Sequence, residues 1–208
     1  RQPPGSTFKP LMGIIGMHLG IVSPETQIYN SGYYMRGRPY KDLAPPGNYV
    51  MEDAIAKSSN TYFLHIMDKI ATSGQLNVWS NLVKDFGLGV PNSIDLPSAN
   101  KGIIPDSTYL DRRFGKRKWG LGDVLNFGIG QGLISASPLQ IAQMTSTIAN
   151  GGYKIKPHIM YAVENSNGEI ITNPVYSEKI DWVKEDYLTT VKKGMRKNVL
   201  EGSGKFYA

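Results

Sequence analysis

The stretch Pro3-Pro4-Gly5-Ser6-Thr7-Phe8-Lys9-Pro10 lies near the start of the chain, and the rest of the sequence is organised around it. The Pro-Pro-Gly triplet is typical of a turn, and the residues after it predict a helix that carries a serine and, three residues on, a lysine. Side chains at positions i and i+3 share one helical face, about 5–6 Å apart at Cβ. This spacing therefore predicts that the Lys9 amine lies near the Ser6 hydroxyl.

The Ser6–Lys9 pair has the chemistry of a nucleophile and its base. A serine hydroxyl is a poor nucleophile at neutral pH until a neighbouring group accepts its proton. A lysine amine accepts it when burial or nearby cations lower the lysine pKa. N–H groups without partners in the first helical turn also favour an oxyanion. The spacing alone is weak evidence, because a serine N-cap followed by a solvated lysine has the same pattern.

The composition indicates one globular domain, or one domain with a small lobe. The chain has 208 residues, of which 40% are hydrophobic and 19% charged, and its net charge is +6. The basic residues are spread along the chain apart from Arg112-Arg113 and Lys116-Arg117-Lys118, which favours a solvated basic loop over a polyanion site. Because no RNA-binding aromatic signature or zinc-finger spacing is present, we expect no nucleic-acid partner.

The absence of cysteine excludes disulfides, thiol chemistry and thiolate metal sites. His18, His65 and His158 are far apart in the sequence and form no ligand pattern, so we predict no metal ion and no cofactor. His65 lies in a helical apolar stripe and is interpreted as a core or rim residue.

The ends of the chain indicate a piece of a longer protein. The sequence starts at Arg1-Gln2 without an initiator Met, and the stretch 202–208 resembles the approach to a strand. No apolar run reaches membrane-spanning length, and no signal peptide is visible.

Hydrophobic periodicity predicts a mostly helical chain. Short strands or a hairpin are expected within residues 22–50, a second hairpin around Asn165–Gly168, and mostly loop over residues 88–125. The predicted helices are Leu11–Ile21, Met51–Ala56, a helix that follows Asn60, Gln75–Phe86, a helix opened by a Ser137 capping box and running to Ala149, and Lys184–Leu200.

Two short stretches have more than one interpretation. Residues 57–60 separate two predicted helices. Ser58, Ser59 and Asn60 either cap the second helix, or Ser58 and Asn60, as side chains at i and i+2, bring a hydroxyl and an amide to one point. The glycines of residues 126–132 suggest a phosphate loop, but the P-loop lysine is absent. We therefore interpret that stretch as a tight turn that brings its backbone close to a substrate or to another segment.

The chain contains a series of short motifs in a fixed order. The motifs are Pro3-Pro4-Gly5-Ser6-Thr7-Phe8-Lys9, Ser58-Ser59-Asn60-Thr61-Tyr62-Phe63, Phe86-Gly87-Leu88-Gly89, Ile94-Asp95-Leu96-Pro97, Ile129-Gly130-Gln131-Gly132, Ser137-Pro138-Leu139-Gln140, Ala149-Asn150-Gly151-Gly152 and Lys156-Pro157-His158. Together, in this order and spacing, they resemble the transpeptidase domain of class B penicillin-binding proteins, in which a Ser-x-x-Lys motif is accompanied by a second motif of the Ser-x-Asn type. The resemblance covers essentially the whole chain and is closest to the elongation type, the penicillin-binding protein 2 group.

The resemblance implies a role for each site residue. Ser6 would be the acylated nucleophile and Lys9 its general base. Ser58 would relay protons between the amine and the leaving nitrogen, and Asn60 would hold the Lys9 amine and the substrate backbone. The donor substrate would be a peptidoglycan stem peptide ending in two D-alanines. An amine of a second stem peptide would resolve the acyl-enzyme, and β-lactam antibiotics would trap Ser6.

The resemblance also implies a fold, a location and partners. The fold is the α+β penicillin-binding protein/serine β-lactamase-like fold, here mostly helical and without most of the central sheet. Residues 1–208 would be the central part of a single transpeptidase domain on the periplasmic side of the bacterial inner membrane. The parent would work in cell elongation and shape with a membrane glycosyltransferase and other elongation-machinery proteins.

The sequence departs from the family pattern in its third motif. No Lys-Thr-Gly is present, since Lys205 is followed by Phe206. The first strands, the Lys-Thr-Gly strand, half of the oxyanion hole, the pedestal domain and the membrane anchor are therefore expected outside these residues, and we expect little or no activity from them alone. Some relatives carry a metal site with a Cys ligand near residues 30–50, which a chain without cysteine does not have.

Two other functions remain open at this point. One is a serine β-lactamase or D,D-carboxypeptidase on the same fold, which would deacylate rapidly with water. The other is a non-catalytic β-lactam sensor or binding module. The combination of Ser6, Lys9 and Ser58 counts against this alternative, because a pure binding module has no need of all three residues.

Overall fold

The structure is a computed structural model that describes residues 1–91, 95 and 100–205. Its helices are α1 (Lys9–His18), α2 (Met51–Ala56), α3 (Asn60–Thr72), α4 (Leu76–Asp85), α5 (Ser107–Phe114), α6 (Leu121–Val124), α7 (Pro138–Ala149) and α8 (Glu185–Leu200), with 3-10 helices at Gly5–Phe8 and Leu125–Ile129. Its strands are β1 (Ile28–Asn30), β2 (Tyr33–Arg36), β3 (Arg38–Lys41), β4 (Gly47–Tyr49), β5 (Tyr153–Ile155), β6 (Ala162–Glu164), β7 (Ile170–Thr172) and β8 (Ser177–Lys179).

Helix α1 lies at the centre of the molecule. It contacts α2, α3, α4 and α8, and its side chains Leu11, Met12, Ile14 and Ile15 have no solvent exposure. Neighbouring helices approach its backbone closely, because a Cβ on Gly13 would lie 2.8 Å from the sulfur of the Met51 side chain. Gly13 therefore lets the Met51 side chain lie close to the α1 backbone.

The strands form four small antiparallel ladders in the described part of the chain: β1 with β4, β2 with β3, β5 with β8 and β6 with β7. The hairpin of β2 and β3 turns at Gly37 and pairs Tyr33 with Lys41. These ladders lie at the edge of the helical core, so helices supply most of the buried surface. The predicted strands within residues 22–50 and the hairpin around Asn165–Gly168 are confirmed.

Most of the described residues between 88 and 125 are irregular, as predicted, but the sequence prediction missed α5 and α6, which lie there. Helix α5 begins with an N-cap, in which the Asp106 carboxylate accepts a hydrogen bond of 2.8 Å from the Tyr109 N–H. Arg112 and Arg113 occupy its last turn, where positive charge is favoured by the helix dipole. The basic run is therefore partly helical, and its side chains are exposed as predicted.

Two other features differ from the sequence prediction. Helix α1 ends at His18, ahead of Ile21, because Gly20 adopts a left-handed φ of 67°. Strand β8 was not predicted, and it forms by pairing with β5. The motif at residues 94–97 lies outside the described residues except for Asp95, whose carboxylate accepts hydrogen bonds of 2.8 Å from the N–H groups of Ile159 and Met160.

The glycine-rich turn at residues 126–132 lies against another segment, the one that carries Ser6. The Gly5 N–H donates a hydrogen bond of 2.9 Å to the Gly130 carbonyl. Gly130 has a φ of 67°, and a Cβ there would collide with the Gly5 oxygen. Only glycine permits this approach without displacing the Ser6 turn.

Within residues 1–91, 95 and 100–205, no helix combines the length and apolar character that crossing a membrane requires.

Candidate active site

Ser6 lies on the 3-10 helix Gly5–Phe8, and Lys9 follows it as the first residue of α1. The Lys9 main-chain N–H donates to the Ser6 carbonyl, which keeps the two residues one tight turn apart. The Ser6 side chain is exposed, whereas Phe8 is fully buried with its ring 6.4 Å from that of Trp79. Phe8 thus anchors the turn in the core while Ser6 faces solvent.

The second half of the site is the junction between α2 and α3. The Ser58 N–H donates to the Ile55 carbonyl and the Ser59 N–H to the Ala54 carbonyl, at 3.1 and 2.9 Å. This pairing is the Schellman motif, which ends a helix with one residue in the left-handed region, usually glycine. Here that residue is Ser58, with a φ of 55°.

Both interpretations of the 58–60 stretch hold in the structure. Ser59 is the N-cap of α3, and its Oγ accepts from the Tyr62 N–H at 3.4 Å. On either side of it, the side chains of Ser58 and Asn60 converge on one atom, the amine nitrogen of Lys9. A left-handed residue followed directly by a new helix produces this convergence.

The Lys9 amine is held by hydrogen bonds to this junction alone in the described part of the molecule. Its Nζ lies 2.6 Å from the Ser58 main-chain oxygen, 2.9 Å from Ser58 Oγ and 2.9 Å from Asn60 Oδ1. Asn60 Nδ2 donates to the Lys41 carbonyl at 3.0 Å, so the amide is oriented with its oxygen towards Lys9.

Burial lowers the pKa of the Lys9 amine to about 8, and the negative charge of Asp42 opposes that shift. The side chain is only 2% exposed, so the charged form loses most of its hydration. A lysine with this pKa is neutral in a useful fraction of molecules near neutral pH, which is the condition for a general base.

The partners of Lys9 suit the neutral amine as well as the ammonium ion. A neutral amine keeps two N–H donors, and two of its partners, the Ser58 carbonyl and Asn60 Oδ1, only accept hydrogen bonds. The Ser58 hydroxyl can donate or accept, so it can exchange a proton with the amine. The arrangement therefore allows the lysine to take up and pass on a proton without breaking its other hydrogen bonds.

Ser6, Lys9 and Ser58 line one cavity of about 380 Å3. Helix α8 closes its far side with Met195 and Val199. No hydrogen bond to the Ser6 hydroxyl is found among the described residues, so this hydroxyl is free to contact a molecule in the cavity. Asn60 reaches the same site through its hydrogen bond to Lys9.

The sequence analysis missed Asp42, which contacts the Ser58–Asn60 junction. Its side chain is 5% exposed and accepts hydrogen bonds from Ser59 Oγ at 2.8 Å and from the Thr61 N–H at 2.7 Å. A lone aspartate after a short strand carries no signal for such a contact in a single sequence. No group of three His, Asp or Glu side chains that could hold a metal ion is found within the described residues.

Comparison with known proteins identifies the class. The family model "Penicillin binding protein transpeptidase domain" matches residues 1–208. The chain therefore belongs to the penicillin-binding protein transpeptidase family. The resemblance predicted from the motifs is confirmed by this match.

Two curated relatives show where in the family the chain lies. It is 32% identical to the peptidoglycan D,D-transpeptidase MrdA of Haemophilus influenzae, over 98% of this chain and 32% of the relative. It is 31% identical to MrdA of Acinetobacter baumannii, over 98% of this chain and 30% of the relative. The chain thus spans about a third of the length of the curated relatives it matches.

Solved structures give the same grouping. PBP2 of Pseudomonas aeruginosa in complex with WCK 5153 has a TM-score of 0.79 and 29% identity, covering 95% of this chain and 44% of that one. PBP2 of Helicobacter pylori, solved in complex with MreC, has a TM-score of 0.77 and 27% identity, covering 94% and 34%. The predicted fold class and the similarity to the penicillin-binding protein 2 group are confirmed.

Proposed function

We propose that the protein containing this chain is a peptidoglycan D,D-transpeptidase of the elongation type, which cross-links stem peptides through an acyl-enzyme on Ser6 and is a target of β-lactams. The observation that carries the proposal is the buried Lys9 amine, held 2.9 Å from Ser58 Oγ in the cavity that Ser6 lines. The relatives' names, peptidoglycan D,D-transpeptidase, support the same reaction.

In the first half-reaction, Ser6 Oγ attacks the carbonyl carbon of the penultimate D-alanine and its proton passes to the neutral Lys9 amine. The tetrahedral intermediate then expels the terminal D-alanine as the C–N bond breaks. The leaving nitrogen takes a proton from the Ser58 hydroxyl, which is replenished by the Lys9 ammonium across 2.9 Å. The products are an ester on Ser6, free D-alanine and a neutral Lys9.

In the second half-reaction, the amine of another stem peptide attacks that ester. Its proton returns by the same route to Ser6 Oγ as the C–O bond breaks and the cross-link forms. Asn60 orients the Lys9 amine throughout. The Gly5 N–H is already bonded to the Gly130 carbonyl, so it is the Ser6 N–H, which has no partner within the 3-10 helix, that would donate a hydrogen bond to the developing oxyanion.

We infer further that residues 1–208 are the central part of one transpeptidase domain on the periplasmic face of the inner membrane. The anchor, the pedestal and the Lys-Thr-Gly strand would lie outside them. The chain's span of about a third of its relatives' length supports this inference. Sequencing the gene on both sides of the segment that encodes residues 1–208 tests the inferred domain position. It should show a membrane helix upstream and Lys-Thr-Gly downstream.

We infer that the partners of the whole protein are elongation-machinery proteins, including a membrane glycosyltransferase. Similar chains are found in a peptidoglycan synthase complex that coordinates polymerization and crosslinking, and in the PBP2–MreC complex.

Labelling with a fluorescent penicillin tests the reaction. The full-length gene product should form a stable adduct that peptide mapping places on Ser6, and Ser6→Ala should abolish it. Ser73→Ala, an exposed serine at the end of α3, is the matched control and should label like the parent protein. An adduct on another serine would contradict the role of Ser6.

The same experiment separates the two other functions. An adduct on Ser6 that water removes within seconds, with turnover of the penicillin, would indicate a β-lactamase or carboxypeptidase. Binding of penicillin without acylation of Ser6 would indicate a sensor.

A further inference from the structure

Asp42 and Asn30 form a buried polar cluster beside the Ser58–Asn60 junction. Asp42, directly after β3, accepts hydrogen bonds from Ser59 Oγ, the Thr61 N–H and the Ala44 N–H at 2.8, 2.7 and 3.0 Å. Asn30, at the end of β1, has no solvent exposure and accepts from Thr61 Oγ1 at 3.0 Å. The cluster thus ties the strands before α2 to the first residues of α3.

These contacts surround Asn60 in the sequence and in space. Ser59 and Thr61, its two neighbours, are both held by the Asp42 carboxylate. The Asn60 amide itself donates to the carbonyl of Lys41, the residue before Asp42. Three consecutive residues of the junction are therefore fixed by a two-residue segment.

Ser58 depends on the same anchoring. Its left-handed φ of 55° is unfavourable for a residue with a Cβ, and such a conformation persists only when the surrounding contacts enforce it. Its neighbour Ser59 is fully buried and bonded to Asp42 through its hydroxyl, so the turn cannot relax without breaking that contact.

We propose that Asp42 is a positioning residue of this site: its carboxylate, through Ser59 and Thr61, holds Ser58 and Asn60 against the Lys9 amine. The inference rests on the proposed function, since it assigns a role within the same site. Asp42 makes no direct contact with Lys9 among the described hydrogen bonds and ion pairs, and it acts through the junction.

The charge of Asp42 gives a second effect that a purely structural residue would lack. Burial pushes the pKa of Asp42 up, but hydrogen bonds from Thr61, Asn60, Ala44 and Ser59 outweigh it and lower that pKa, so the carboxylate stays ionised at neutral pH. The Lys9 amine is surrounded by the uncharged Ser58–Asn60 junction and by the Phe63 ring, whose centroid lies 5.8 Å away. The Asp42 carboxylate is the negative charge that acts on this amine, and it raises the Lys9 pKa against the effect of burial.

The test is Asp42→Asn in the full-length gene product, with the rate of acylation by fluorescent penicillin measured against pH. Because the junction loosens, the plateau rate should fall about 10- to 100-fold. Because the negative charge that raises the Lys9 pKa is gone, that pKa should fall further. The acid limb of the profile, the range in which the rate rises with pH, should therefore move to lower pH. The nearly isosteric amide keeps the side-chain volume, so the two effects report hydrogen bonding and charge.

Asp68→Asn is the matched control. Asp68 is a buried carboxylate on α3, 8% exposed, and it accepts from the Tyr34 hydroxyl at 2.6 Å and pairs with Arg36 at 3.2 Å. Among the described residues, its side chain has no hydrogen bond or ion pair with the Ser58–Asn60 junction. This variant should lose thermal stability like Asp42→Asn, yet keep the acid limb and keep its rate within about twofold of the parent.

Ser59→Ala provides a second variant if Asp42→Asn does not fold. It removes one hydrogen bond to Asp42 and keeps the charge, so acylation should slow severalfold with an unmoved acid limb. Titration of Lys9 by NMR of 13C-labelled lysine follows its pKa without any reaction, and it should report a lower pKa in Asp42→Asn.

The outcomes separate this inference from the proposed function. Parent-like rates and acid limbs in both variants, in protein that labels on Ser6, would overturn the role of Asp42 and leave the reaction intact. Failure of the parent protein to label would overturn the reaction, and an unchanged Lys9 pKa in Asp42→Asn by NMR would then overturn the role of Asp42 separately.

Discussion

The Lys9 amine lies 2.6 Å from the main-chain oxygen of Ser58 and 2.9 Å from its hydroxyl, although 49 residues separate the two in sequence. The contact joins the first turn of α1 to the junction of α2 and α3. It buries an amine among oxygen atoms without an ion pair, which lowers its pKa and leaves a hydroxyl in position to exchange a proton. Substitutions at Lys9, Ser58 and Gly130 test what this contact and the residues around it contribute to acylation and to stability.

The pH dependence of acylation should follow the Lys9 amine. With a pKa of about 8, about a tenth of the molecules carry a neutral amine at pH 7, against about one in three thousand for an ordinary lysine. The rate of acylation by fluorescent penicillin should rise tenfold per pH unit below 7 and level off above 8. Lys9→Arg, which stays charged, should not acylate at any of these pH values, and a flat profile in the parent from pH 6 to 9 would contradict the assignment.

The same pKa has a consequence for stability. Below pH 8 the folded and unfolded chains both keep the lysine proton, and folding bears the full cost of burying the charge. Between pH 8 and 10.5 the folded chain releases a proton that the unfolded chain retains, so stability rises with pH.

Lys9→Met isolates this effect in urea unfolding. The free energy of unfolding of the parent minus that of the variant should increase by up to about 3 kcal/mol from pH 7.5 to 10.5. A difference that stays constant or falls over that range would show that the amine is not buried as the structure places it.

The left-handed conformation of Ser58 reverses the usual ranking of glycine and alanine. At a φ of 55°, Ser58→Gly should be more stable than Ser58→Ala by about 1 kcal/mol, because only alanine has a Cβ in that region. Both should lose acylation, because both lack the hydroxyl. Urea unfolding measures the difference.

Ser146, inside α7, is the control position for that ranking. There Ser146→Gly should be the less stable of the pair by about 1 kcal/mol, as in any helix interior. The same order at both positions would contradict the left-handed conformation of Ser58.

Gly130 should be indispensable for the Ser6 turn. A Cβ there would collide with the Gly5 oxygen and lie 2.8 Å from the Phe8 Cβ, so Gly130→Ala should push the turn away and slow acylation. Gly20 has the same φ of 67° and open space around it. Gly20→Ala should therefore cost about 1 kcal/mol for the conformation alone, and Gly130→Ala about 1–3 kcal/mol more for overpacking. Equal losses of stability and full acylation by both variants would argue against the contact.

Structural features that depend only on residues close together in the sequence could be predicted from the sequence. The capping box of α7 is one: the Ser137 hydroxyl accepts from the Gln140 N–H at 3.2 Å, and Gln140 Oε1 accepts from the Ser137 N–H at 3.0 Å. The other end of the same side chain was not predictable. Gln140 Nε2 donates to the carbonyls of Gly87, Val90 and Lys101, at 3.0, 3.1 and 2.9 Å, and so holds a distant loop.

The residues of the site also divide into those that the sequence could indicate and one that it could not. The Ser-x-x-Lys and Ser-x-Asn patterns named Ser6, Lys9, Ser58 and Asn60, because a nucleophile, a base and their partners need particular residue types at short spacings. Nothing in those spacings indicated that Asp42 supports the second pattern. Strand β8 and helix α5 were missed for a related reason, since β8 exists through its pairing with β5, and the loop signals around α5 outweighed its single cap.

Periodicity, caps and short motifs act over a few residues, so the family, most of the helices and the chemical types at the site follow from the order of residues. The burial of Lys9 against Ser58, the approach of Gly130 to Gly5 and the hold of Asp42 on the junction emerge only when the chain is folded. Those contacts join residues tens of positions apart, and their energies depend on burial and on distance, which the order of residues does not record.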